Sequence, residues 1–302
     1  MMLQFVADGL VLGATIGLGA IGLTLVYSIL RFANFTHGDL ISWGAYFVLS
    51  LVGLLTAAGG AAAHRFGVLS FGWPLVAAVV LAVALTGALG LLLDGALFRH
   101  LRRHGTTITL VIASFGASLA LRNMIVFLYG PRPDYYSRDI QIAVPVLPGV
   151  RVTPDQVFVL GLTAVLVAAL HLLLTRTTLG RAMRGVAENP TLARVVGVDV
   201  EAVVRWTWVI GGGLAAVAGA FLGLTVQVRP QMGFDLLLPL FAATILGGIG
   251  SVYGAIAGGL IIGLAESLSV PLIGSEYRQA VAFLVLLAIL LVRPTGLFGD
   301  RA

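Results

Sequence analysis

The chain has no cysteine and no lysine, and only 10% of its residues are charged. Without cysteine there are no disulfides and no thiolate metal sites. Without lysine there is no phosphate-binding GxxxxGK[ST] loop and no Schiff-base chemistry, so any ATP hydrolysis that powers this protein must take place in another chain. A soluble domain carries roughly 25% charged residues, so the low charge excludes an ordinary water-soluble core. HExxH and GxSxG are both absent, and no carboxylate pair is spaced as an acid and a base. The five histidines are His37, His64, His100, His104 and His171. His100 and His104 stand one helical turn apart, but Arg99, Arg102 and Arg103 crowd them and no third ligand is near. They read as a solvated face, and nothing here argues for catalysis.

Apolar residues make up 59% of the chain, with a mean hydropathy of +1.04. The class is therefore a polytopic membrane protein, with spans of about 20 residues each. The net charge of +5 is no nucleic-acid signature, because the arginines are scattered through short loops. Such loops mark the cytoplasmic side. The opening MMLQFVADGL lacks a basic leader and a cleavage pattern, so the first apolar run reads as a retained span.

Taken in order, the apolar runs start with Gly9 to Leu30, where Gly9, Gly13 and Gly17 form one face that lets another helix approach closely. Asn34, Thr36, His37, Gly38 and Asp39 then cluster ahead of a second run, Leu40 to Ala58. Two readings stay open for this cluster: polar groups at membrane depth facing a cavity, or a short interfacial loop capping the second helix. A small-residue loop with His64 and Arg65 leads to Trp73-Pro74 and a third span over about Leu75 to Leu93, followed by the basic loop FRHLRRHG. Thr106 to Leu128 is the fourth span. Its Arg122 is expected to snorkel to the far interface, with a gating or substrate role as the alternative. Residues 129–155, rich in proline and with an alternating segment broken by Pro-Gly, predict a short extracytoplasmic hairpin. Gln156 to Leu174 and Trp206 to Val228 are the fifth and sixth spans.

Near the end, Leu236 to Leu246 is only about half a span, and Gly247, Gly248, Gly250 and Ser251 interrupt it. This reads either as a broken helix of the kind found at transport sites or as a tight turn between spans. Glu266 sits in the following run, and Gln279 to Val292 is the last span, stopped by Arg293-Pro294-Thr295-Gly296 before a basic cytoplasmic tail. The fold class is an all-α polytopic membrane protein of eight to nine transmembrane helices, some broken or re-entrant. Counting back from a cytoplasmic C-terminus places the N-terminus outside. Residues 175–205 form a basic, helical, cytoplasmic loop holding five of the eighteen arginines.

FANFTHGDLISWGAY, GRAMRGVAENPTLARVVGVDV, ATILGGIGSVYGAIAGGLIIGLAE and AVAFLVLLAILLVRPTGLFG occur in this order between about Leu10 and Gly299. Together they resemble the high-affinity branched-chain amino acid ABC transporter permeases, and most closely the shorter of the two permeases such systems pair. The resemblance implies that 1–302 is a single transmembrane permease domain in a bacterial inner plasma membrane. It also implies the partners: a second homologous permease, two ABC ATPase subunits that bind Mg-ATP, an extracytoplasmic substrate-binding protein, an amino-acid substrate and membrane lipid. The chain itself would hold no cofactor and no metal. The resemblance further implies a coupling helix within the central loop, where Ala193 and Gly197 match the Ala-to-Gly spacing of the family's EAA-like pattern. The strict Glu-Ala-Ala triplet is missing, with Thr191 and Leu192 before Ala193. Glu188, Asn189 and Pro190 suit a helix start, Asn189 as cap and Pro190 at the first position, and Arg194 lies on the same segment. The helix is expected over about Pro190 to Val196.

For the substrate path, the Asn34–Asp39 cluster and the Gly247–Ser251 break are the candidates, since a zwitterionic head needs polar groups or helix ends. The same architecture could carry urea, short amides or other amino acids. An ATP-independent secondary transporter would need ionisable groups at mid-membrane, for which Asp39, Glu266, His37 and Asp94 are available. A membrane scaffold would explain the apolar bulk but not the glycine-broken segment.

Overall fold

The computed structural model describes residues 2–59, 66–137, 141–293 and 295–298. The expected loop residues His64 and Arg65, Pro294 of the terminal stop and the basic tail lie outside the described residues. Among the described residues, eight helices are long and apolar enough to cross a membrane, and one more is short. This is an all-α polytopic membrane protein.

Helix α1 (Met2–Leu30) and helix α9 (Val200–Thr225) form the buried centre, whereas α6 (Pro154–Arg176) and α12 (Arg278–Val292) expose most of their surface. In a bilayer that outer surface meets lipid or another chain, so apolar side chains such as Val165 and Leu284 can stand outward without cost. Helix α11 (Val252–Ile273) packs along α1 through facing glycine stripes. A Cβ at Gly259 would lie 2.4 Å from Gly17, and one at Gly263 would lie 2.3 Å from Gly13. The four-residue spacing therefore does bring two backbones together.

The remaining spans are α2 (Thr36–Gly59), α3 (Trp73–Leu93) and α5 (Thr107–Tyr129). The expected basic loop after the third span is instead a helical continuation: a π-helical turn, Asp94–Phe98, and then α4 (Arg99–His104). Asp94 holds this continuation in place. It is buried, it accepts from both terminal nitrogens of Arg102, and it accepts from the indole N–H of Trp208 at 2.9 Å. Phe98 stacks on the same indole. Paired charge and aromatic packing let the helix run past the point where charge density alone suggests a loop.

One end of the bundle carries α4, α7 (Thr178–Glu188), α8 (Pro190–Val195) and most of the arginines. At the opposite end β1 (Val144–Leu147) and β2 (Val150–Val152) pair antiparallel as a hairpin with Gly149 at φ +83°. Gln4 pins the hairpin to α1, donating to Arg151 O at 3.1 Å and accepting from Arg151 N at 2.8 Å. The Tyr136 hydroxyl donates to Ala45 O at 3.0 Å, and burial pushes its ionisation well above the usual phenol range, so it remains a donor.

Two helices start inside the bundle. After α1 ends, residues 31–35 turn back in and α2 begins beside the middle of α5. Phe35 N donates to Ser114 Oγ at 3.2 Å, and Asp39 faces Ser118 and Arg122. After α9, residues 226–231 turn inward from the other end, tied to the loop by the Asp134–Val228 bridge. They lead to the short α10 (Met232–Gly247). The two starts meet: Gly233 N donates to Ser42 Oγ at 3.0 Å, and a Cβ at Gly233 would lie 1.8 Å from Gly38 O. At 16 residues α10 is about 24 Å long, too short for a full crossing. The alternative of nine full crossings therefore resolves to eight spans plus this partial one.

Candidate functional site

Three groups of residues bear on function: the polar start of α2, the glycine break after α10, and the helical segment α7–α8. In the first, Asn34 Oδ1 accepts from Thr36 N at 3.1 Å and from the Thr36 hydroxyl, an arrangement that opens α2. His37 Nε2 lies 2.9 Å from Gly19 O in the middle of α1. Gly38 gives α10 its approach. Asp39 accepts from the Ser118 hydroxyl and from Arg122 Nε at 3.2 Å. Asn34, Thr36, His37 and Asp39 are fully buried within the chain. The cluster is thus both a helix start and a polar group at membrane depth, and its carboxylate is paired. Asn34 Nδ2 and His37 Nδ1 have no hydrogen-bond partner among the described residues.

Arg122 does not snorkel outward. Its Nε reaches Asp39, one terminal nitrogen donates to Ser118 Oγ at 3.1 Å, and the guanidinium sits 3.9 Å over the Phe234 ring. A carboxylate on a neighbouring helix offers more than the distant interface, because a desolvated charge gains most from a paired, hydrogen-bonded counter-ion. The signal in the sequence was the presence of two opposite charges, Asp39 and Arg122, inside separate apolar runs. Phe35, Phe115, Phe234 and Phe241 complete the surroundings. Phe35 packs on Phe115 at 5.8 Å and on Phe241 at 5.4 Å between ring centres. No sequence pattern marks them, since phenylalanine in a span is ordinary.

The second group lies nearer the basic end. Gly248 and Gly250 take φ +99° and +91°, so the chain turns sharply, and Gly247 touches Gly254 across the turn. Gly250 N donates to Thr24 Oγ1 of α1 at 2.9 Å, and Ser251 caps α11 by accepting from Gly254 N at 3.0 Å. Residues 295–298 fold back onto the end of α10. Leu297 N donates to Leu246 O at 2.7 Å and Phe298 N to Gly247 O at 3.0 Å. Gly250 and Ser251 line a cleft of about 630 Å³ together with Ser28, Arg31, Arg184 and Glu188. The break and the start of the central loop are therefore brought together, while Asn34, Thr36, His37 and Asp39 do not line that cleft.

In the third group α7 seats Gly180, Met183 and Val186 inward. Arg184 donates to Leu174 O, and Arg31 donates to Ala187 O, which ties α7 to the α1–α2 link. Asn189 caps α8, accepting from Thr191 N and Leu192 N at 3.0 Å each, with Pro190 in the first turn. Gly197, at φ +87°, ends it, and Val198 N closes back on Ala193 O at 2.9 Å. Ala193 is buried, Glu188 and Arg194 are exposed, and Leu192, Val195 and Val196 stand out in the open at 60%, 79% and 70% exposure. His100 and His104 lie against each other with their rings tilted by 49°, and among the described residues no group of metal-ligating side chains forms.

The family model described as branched-chain amino acid transport system / permease component matches residues 5–290. The high-affinity branched-chain amino acid transport system permease protein LivH of Escherichia coli (strain K12) is 34% identical over 98% of this chain and 95% of its own. BraD of Pseudomonas aeruginosa, named for the same system, is 32% identical over 98% and 95%. The autoinducer 2 import system permease protein LsrC of Escherichia coli is 33% identical over 50% of this chain and 44% of its own. Among solved structures, PsaBC from Streptococcus pneumoniae in complex with Fab aligns over 97% of this chain and 93% of its own at 16% identity and a TM-score of 0.49, too loose a likeness to bear on the fold. On the family match and the near full-length relatives, this multi-pass membrane protein belongs to the branched-chain amino acid transport system permease family.

Proposed function

We propose that the chain is the membrane-spanning subunit of an ATP-driven importer of branched-chain or related hydrophobic amino acids. In this reading it pairs with a second homologous permease, two ATPase subunits hydrolyse Mg-ATP, and an extracytoplasmic binding protein delivers the amino acid. The basic end faces the cytoplasm, so the N-terminus and the hairpin lie outside and the C-terminus inside a bacterial inner membrane. Catalysis belongs to the ATPases, and this chain converts their closure into helix movement.

The observation that carries the reading is α8. Leu192, Val195 and Val196 form an apolar knob on the basic end, outside any span. Such a knob marks a protein contact. The Asn189 cap and the Gly197 turn hold it rigid, and α7 with the Arg31 and Arg184 bonds links it to α6, α9 and the α2 start. A push on α8 would be relayed as a rigid-body shift rather than absorbed. The glycine break at Gly247–Ser251 and the cluster at Asn34–Asp39 lie where that shift arrives.

The test is co-purification with the ATPases, alongside leucine uptake in proteoliposomes. Val195→Asp, and Gly197→Val, which forces a β-branched residue into left-handed backbone, should each abolish uptake and ATPase retention while the permease remains monodisperse. Full retention and normal uptake in both would remove the coupling role. The partial likeness to an autoinducer 2 permease favours one second reading, the same machine with a different small polar cargo. Leucine uptake by the wild-type complex separates the two.

A further inference from the structure

The outer face of α5 and α10 is not built for lipid. Asn123 is exposed on it, and among the described residues its side chain bonds only to Leu119 O of its own helix, at 2.8 Å. Residue 118 is the midpoint of α5, which puts Asn123 about 7.5 Å beyond the centre of the span, within the roughly 15 Å half-thickness of the hydrocarbon core. An amide there has no partner in lipid, and polar side chains at depth normally face protein or water. Next to it the side chain of Arg122 is 14% exposed, and its second terminal nitrogen has no hydrogen-bond partner among the described residues. Its flanks are apolar and aromatic: Phe115 and Phe234 are 43% and 38% exposed, and Phe35 and Phe241 are half-buried. Helix α10 begins here as well, turning the positive end of its dipole toward the same place.

We infer that the amino acid crosses the membrane over this face, with the free edge of Arg122 engaging its carboxylate, Phe35, Phe115, Phe234 and Phe241 receiving its apolar side chain, and the second permease closing the other side. A planar guanidinium suits a carboxylate, and Asp39 and Ser118 hold it in position from behind while balancing its charge between substrates. This rests on the reading of the chain as half of an amino-acid importer.

The native lack of cysteine permits a direct test in the reconstituted complex. Asn123→Cys is compared with Val165→Cys, on the exposed face of α6, using a water-soluble methanethiosulfonate reagent. Asn123→Cys is expected to react at least about tenfold faster, because only the thiolate reacts and a lipid-facing thiol stays protonated. Loaded binding protein with L-leucine should slow it. Arg122→Lys, which keeps the Asp39 pair but loses the planar fork, should raise the leucine KM for uptake. Asn123→Cys as inert as Val165→Cys in every nucleotide state would overturn the path, and an unchanged KM in Arg122→Lys would overturn the carboxylate contact. If the wild-type complex carries no leucine, the importer reading fails and the carboxylate contact with it. The thiol comparison would still decide the path.

Discussion

Helices α2 and α10 enter the bundle in opposite directions and touch at Gly38 and Gly233, yet they are built differently. The start of α2 is polar and closed. Asn34, Thr36, His37 and Asp39 are buried to the last atom, and the carboxylate is fastened to α5. The start of α10 carries one partly exposed ion pair, Arg229 with Asp235 at 2.9 Å, and its outer stripe, from Phe234 to Phe241, remains partly open. The contrast separates two uses of a helix that begins at depth. In α2 the polar groups fasten the start, so it cannot shift without breaking an ion pair. In α10 the fastening is by close backbone packing on one side, which leaves the other side free to meet something else.

Substitutions sharpen that difference, and the largest effect should come from the crossing itself. Gly233→Leu puts a side chain against Gly38 O with no room for either backbone, and no monodisperse protein should elute on size exclusion. Recovery of normal protein would mean the two helices are not fixed to each other. Next, Asp39→Ala leaves Arg122 without its counter-ion, a loss of about 3–5 kcal/mol, read as a lower unfolding midpoint in detergent. The double variant Asp39→Asn with Arg122→Gln should regain much of it. Ser118→Ala removes one donor to that carboxylate and should cost about 1–3 kcal/mol. Smallest is Phe241→Leu on the open stripe of α10, where loss of the Phe35 contact amounts to about 0.5–1.5 kcal/mol. If Phe241→Leu proved as damaging as Asp39→Ala, the open and closed halves would not differ as described.

Much of this was legible in the sequence because the bilayer imposes a length. Runs of about 20 apolar residues became spans, and the half-length run after Leu236 became the partial helix α10. The glycine spacing over Gly9–Gly17 foretold a close contact, and alternation around Pro148-Gly149 foretold the hairpin. What could not be read were partnerships across long separations. Arg122 was placed by its position on one helix, but its environment is set by Asp39, 83 residues away in the chain. Arg99 to Arg103 looked like a loop because the charges were counted without Asp94 and Trp208, which keep the segment helical. The two readings of the Asn34 cluster, capping group or polar site at depth, were not true alternatives, because a helix can start in the middle of a membrane.

The bonds from Leu297 and Phe298 to the end of α10 carry a consequence for biogenesis. The last carbonyls of a buried helix end have no partner within the helix and need a donor from elsewhere in the chain. Those of Leu246 and Gly247 find their donors about fifty residues later, past two further spans. Helix α10 therefore cannot be completed as it leaves the ribosome. The second half of the bundle closes only once the segment after α12 has emerged, so the last step of assembly is a short, unspanning strip of chain latching onto a helix inserted long before.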